Sequence, residues 1–96
     1  MPSWPFSVLR LPLADALMFR GRYEWLRGKP AAAQKWWQKA LAEARSIGDR
    51  YLEGTVHLEA GRRLGDRQHL LQAETILKEI GAEFDLAAAR EAMFNS

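Results

Sequence analysis

Apolar residues recur every three or four positions through most of this chain, and glycine interrupts them at intervals. That period belongs to α-helices with one buried face. Helix one is predicted from about Pro12 to Arg27, with Leu13, Leu17, Gly21 and Glu24 along one face and Ala14, Met18 and Trp25 beside it. Proline suits a first helical turn, where its missing N–H would be unpaired anyway. Gly28 supplies a left-handed cap, and Pro30 opens helix two, predicted to run to about Ile47 and stop at Gly48. The apolar face of helix two takes Ala33, one of Trp36 and Trp37, Ala40, Leu41, Ala44 and Ile47. Asp49 is placed to cap helix three, about Arg50 to Leu64, which Gly65 ends. Asp66 likewise precedes helix four, about Arg67 to Ile80, before Gly81, and a fifth helix spans about Glu83 to Phe94. No run of alternating β-branched residues signals a strand. The expected fold class is all-α, with about five helices.

The first eleven residues break the pattern. Pro2, Pro5 and Pro12 discourage helix. Yet Trp4, Phe6, Val8, Leu9 and Leu11 are too apolar for a free tail. Residues 1–11 are therefore expected to form an extended arm lying against the first hairpin or against a partner. Residues 12–96 read as a single helical domain: hairpin one at 12–48, hairpin two at 49–81 and a closing helix at 83–94. Ninety-six residues allow one domain at most, burying roughly 60–65% of the unfolded surface.

Sliding the chain on itself by 33 residues aligns Gly28 with Gly61, Trp37 with Leu70, and Ala40 with Ala73. Ile47-Gly48 falls on Ile80-Gly81, and Tyr51 on Phe84. The turns themselves, at Gly28 and Gly65, lie 37 residues apart, so hairpin two needs a longer turn or a shifted helix. A period of 33–34 residues is that of stacked helical hairpins. Leu17, Gly21, Gly28, Ala33, Trp37 and Ala40 stand at spacings that resemble the tetratricopeptide repeat, with Leu41 after Ala40 as its pattern prefers. Gly21 and Ala33 would let two helices approach closely, Trp37 would fill the gap to the next hairpin, and Ala40 would keep the next helix near. Glu24 departs from the family's usual Tyr, and its neighbours Tyr23 and Trp25 are expected to take over that packing. Gly48 ends the first hairpin, and Leu58, Gly65, Ala73 and Leu77 continue the pattern in a degenerate second hairpin that Gly81 ends. The resemblance implies antiparallel hairpins stacked as a short right-handed α-solenoid. The alanine-rich helices ending in Ile-Gly are also similar to helical repeats at the carboxy ends of large bacterial signalling regulators.

Composition narrows the chemistry. Without cysteine there is no disulfide framework, thiol nucleophile or thiolate zinc site. The formal charge is +2 and the pI about 9.3, but the cations are interspersed with Glu and Asp, which disfavours nucleic acid as the partner. No apolar stretch approaches the ~20 residues of a membrane span, and the amino end lacks a basic leader and cleavage site. A cytoplasmic location is the default expectation, with no membrane association. His57 and His69 lie on different predicted helices, and His57 with Glu53 makes two ligands, which is no metal site. Glu43 beside Lys39, and Glu74 beside Lys78, read as solvent-facing pairs. No phosphate-binding glycine loop or convergent acid cluster is present. The expectation is a non-enzyme with no catalytic, cofactor or metal residue.

The resemblance places a binding groove on the first helix of each hairpin. By position its lining is Asp15, Met18, Arg22, Trp25 and Leu26 in hairpin one, and Leu52, Thr55, Glu59, Arg62 and Arg63 in hairpin two. This mixed aromatic and basic set suits an acidic or carboxylate-bearing peptide, so the expected function is a protein-interaction scaffold. One alternative is self-association, because a short solenoid leaves apolar ends uncovered. Another is weak nucleic-acid binding through the arginine-bearing face.

Overall fold

The computed structural model describes residues 13–95. The arm expected at residues 1–11, Pro12 and Ser96 lie outside the described residues. Five helices follow one another, and no strand occurs among the described residues: α1 (Leu13–Leu26), α2 (Pro30–Ser46), α3 (Arg50–Leu64), α4 (Arg67–Glu79) and α5 (Glu83–Asn95).

Local chemistry sets the boundaries. Gly28 adopts φ 78°, which lets its N–H reach Trp25 O at 2.9 Å and the Lys29 N–H reach Glu24 O at 2.9 Å. Those bonds satisfy carbonyls at the end of α1 that have no partner within the helix. Pro30 then starts α2. The Asp49 carboxylate accepts the Leu52 N–H at 3.0 Å and opens α3. Asp66 accepts the N–H groups of Gln68 and His69 at 2.9 and 3.3 Å and opens α4. Between α3 and α4 only Gly65, at φ 65°, and Asp66 are non-helical. The second turn is therefore shorter than the three-residue first turn, not longer. The 37-residue step between turns is absorbed by α4, which has 13 residues where α2 has 17. Ends of α2 and α4 fall back to a 33-residue spacing.

Each helix packs on its neighbours in sequence, and α3 also touches both α1 and α5, while the backbones of α2 and α4 do not approach each other. Two apolar clusters result. Ala14 and Met18 of α1 meet Ala33, Trp37, Ala40, Leu41 and Ala44 of α2 and Leu52, Val56 and Ala60 of α3. Leu58 of α3 meets Leu70, Ala73 and Leu77 of α4 and Leu86 and Ala89 of α5. Helix α3 contributes to both and is buried on the sides that face them, while Tyr51 and Arg62 lie exposed on its remaining face.

Close helix crossings depend on glycine. Trp37 lies flat over Gly21, is 1% exposed, and donates its indole N–H to Met18 O at 3.2 Å. In the second pair Leu70 covers Gly61 and Leu77 covers Gly54. A buried Trp removes on the order of 200 Å² from water, an upper estimate of roughly 5 kcal/mol. Gly61, aligned with the Gly28 turn by the 33-residue shift, lies inside α3 and serves this crossing instead. Leu13, expected on the core face of α1, is 56% exposed, and that face runs through Ala14, Met18, Gly21 and Glu24.

Candidate functional site

The side of the molecule formed by α1, α3 and α5 carries most of the groove residues expected from sequence. Arg22 of α1 grips Glu59 of α3 with two hydrogen bonds, Nε to Oε2 at 2.9 Å and Nη2 to Oε1 at 3.1 Å. Arg63 adds a third to Glu59 Oε2 at 3.3 Å. Burial alone would raise the Glu59 carboxyl, but the bonds and charges of Arg22 and Arg63 outweigh it and hold the group below the ordinary carboxylate range. The guanidinium of Arg22 also lies over the Phe19 ring, 5.5 Å from its centroid. One step along, Tyr51 of α3 donates its hydroxyl to Asp85 of α5 at 2.8 Å. So α1–α3 and α3–α5 are each bridged by side chains on this side.

The remaining expected residues fall into distinct settings. Arg62 is exposed, Leu26 is 69% exposed, and Thr55 is half-buried with its hydroxyl donated to Leu52 O at 3.0 Å. Trp25 is half-buried against Trp37, with ring centroids 6.3 Å apart. Met18 and Leu52 are corrections: both are buried in the first cluster and present nothing to a partner. The rotation of α1 is set by the Gly21–Trp37 crossing, which turns Met18 inward and brings Phe19 to the surface in its place. Asp15 is half-buried.

Several polar arrangements were not legible from spacing. Glu24, expected from sequence to depart from the repeat pattern, is buried and bonded to Arg20 and Arg27, each at 3.2 Å. Trp25 does fill space beside it, whereas Tyr23 is half exposed with Arg20 and Arg27 stacked on its ring. Glu53 is bound by Arg45 of α2 at 2.9 Å and Arg50 at 3.0 Å rather than by His57. Arg50 continues to Glu79 of α4. Lys39 lies over the Trp36 ring at 4.7 Å, with Arg20 of α1 also stacked on that ring, and Glu74 pairs with Arg90 of α5 at 3.1 Å.

His57 and His69 are not isolated. Their Nδ1 atoms lie 2.8 Å apart, so one donates to the other. His57 is 3% exposed, and its Nε2 has no partner in either tautomer. Burial first, then the charges of His69 and Arg45, push its pKa down to about 4, against a smaller opposing effect of Glu53. A cleft of about 150 Å³ lined by Gln34, Gln38, Asp66 and His69 opens beside the pair. Among the described residues no group of three His, Cys, Asp or Glu is placed to hold a metal ion. No helix there is long and apolar enough to cross a membrane. No protein-family model, curated protein or solved structure matches the chain.

Proposed function

We propose that this chain is a non-enzymatic protein-interaction scaffold, built as a short right-handed tetratricopeptide-like solenoid. The side formed by α1, α3 and α5 is the concave face and receives an extended acidic segment of a partner protein. The helix contacts support the architecture: α3 touches both α1 and α5, whereas α2 and α4 stay apart, as inner and outer layers of a curved stack do.

One observation carries the binding assignment. Arg22 and Arg63 share a single carboxylate, Glu59, and the exposed Arg62 lies three residues along α3 from it, an excess of two positive charges beside the exposed apolar groups of Phe19 and Leu26. The Arg22–Glu59–Arg63 ladder fixes two guanidinium groups, so a ligand carboxylate meets oriented donors at little ordering cost. Phe19 and Leu26 offer neighbouring apolar contact, the mixture found at binding hot spots.

The test is a fluorescence anisotropy titration with a labelled peptide alternating Glu and Leu, against its Gln-for-Glu counterpart. The acidic peptide is expected to bind about tenfold tighter or more, and Arg62→Glu to remove that preference. Equal binding of the two peptides refutes the assignment.

A further inference from the structure

We infer that α5 of one copy docks on α1 of a second copy, head to tail and parallel, with Glu91 opposite Arg20. The free face of α5 is unusual. Phe84 is 88% exposed and Phe94 90% exposed, and Ala87 and Glu91 between them are exposed as well. Positions i, i+3, i+7 and i+10 fall within about 80° of one another on a helix. The four side chains therefore form one stripe, on the side opposite buried Ala89.

Helix α1 carries the same stripe in the same register. Leu13 is 56% exposed, Tyr23 50% exposed, and Ala16 and Arg20 are exposed between them. Arg22, which reaches α3, lies on another side of the helix; within the stripe Arg20 borders α2, lying over the Trp36 ring, and the other three side chains are exposed. Laid parallel, the stripes pair Leu13 with Phe84, Ala16 with Ala87, Arg20 with Glu91, and Tyr23 with Phe94. Apolar meets apolar at both ends, two alanines allow close approach of the axes, and the one charged position carries opposite signs. Arg20 gives only its Nη2 to Glu24, which leaves further N–H donors for an incoming carboxylate.

Charge along the chain runs the same way. Residues 13–48 hold seven Lys and Arg against three Asp and Glu, whereas α5 holds one Arg against three acids. The two ends attract each other and repel their own kind, which favours the head-to-tail arrangement over a symmetric pair. Each contact leaves one α1 stripe and one α5 stripe free, so copies add in a row. Two short helices bury less than a standard interface, so association belongs in the range of roughly 10 μM to 1 mM. The groove described above takes no part, and the two readings stand or fall separately.

The experiment is light scattering on the full chain across that concentration range. The mass of the native protein is expected to rise with concentration. Phe84→Ser/Phe94→Ser destroys one stripe and Ala16→Glu the other, and each variant alone is expected to stay monomeric. Mixed together they retain one good stripe each and are expected to form a heterodimer and nothing larger. Glu91→Arg weakens association at least tenfold, and adding Arg20→Glu restores it to within about threefold of native. All substitutions but Arg20→Glu touch only exposed side chains without an ion-pair partner among the described residues, and circular dichroism verifies that each variant is folded. A native chain that stays monomeric to 1 mM, because residues 1–11 or a foreign partner claim these stripes, overturns the proposal. So does a mixture of the two variants that remains monomeric.

Discussion

Gly21→Ala is the sharpest probe of the first helix crossing. A single added Cβ would lie 2.5 Å from Trp37 Cδ1 and 2.9 Å from Cε2, and closer still to Nε1. No real contact is that short, so the indole must move. It is 1% exposed and its N–H is bonded to Met18 O, so movement forces atoms into a packed core and breaks a buried hydrogen bond. Overpacking costs roughly 1–3 kcal/mol, and an orphaned buried donor roughly 1–3 kcal/mol. Alanine recovers about 0.5–1 kcal/mol over glycine within a helix. The net loss is about 1–5 kcal/mol, centred near 3 kcal/mol, and that central value lowers Tm by roughly 12–24 °C in a domain of this size. Urea unfolding followed by tryptophan fluorescence and circular dichroism measures it. A double-mutant cycle isolates the cause. Trp37→Ala alone is expected to cost about 3–5 kcal/mol, and Gly21→Ala placed on that background is expected to cost nothing or to stabilise. An equal cost of Gly21→Ala in both backgrounds would mean the indole is not what the new methyl strikes.

Two further perturbations address the buried polar groups. The folded state holds His57 near pKa 4, below the ordinary value of about 6.5. Stability from keeping it neutral is fully present above pH 6.5 and is lost as the pH falls toward 4. About 1–2 kcal/mol should disappear between pH 7 and pH 5, where the depressed carboxyls of Glu53 and Glu59 contribute little. His57→Leu is expected to flatten that part of the urea-midpoint profile, and an unchanged slope would exclude His57 as its source. Glu24→Ala deprives Arg20 and Arg27 of their shared carboxylate. Because both arginines are about half exposed and rehydrate, the expected cost is about 1–2 kcal/mol, and an unaltered urea midpoint would show the cluster to be idle.

Helix limits were legible to within about a residue because their causes are local. Gly28, Pro30, Asp49, Gly65 and Asp66 act through backbone angles and hydrogen bonds reaching a few residues, which spacing displays. The rotation of a helix about its axis is not local. Met18 and Phe19 are adjacent, and which of them faces inward depends on how α1 crosses α2, a choice made by Trp37 sixteen or more residues away. Pairings across helices are hidden for the same reason. Arg22 finds Glu59 and His57 finds His69 only once two helices settle in register, and a difference of one helical turn between α2 and α4 shifts that register. Glu24 looked like a lapse from a pattern because a buried carboxylate is costly alone; its two arginines supply the missing half of the explanation.

The position of α3 in both apolar clusters has a consequence for how the chain unfolds. Neither half of the molecule owns a complete core, so opening the α1–α2 side strips Leu52, Val56 and Ala60 from α3, and opening the α4–α5 side strips Leu58 from the same helix. Partial unfolding from one end therefore weakens the other, and the small domain should melt as one unit rather than fraying in steps. Its slowest-exchanging amide protons should lie in α3, with protection falling toward both α1 and α5.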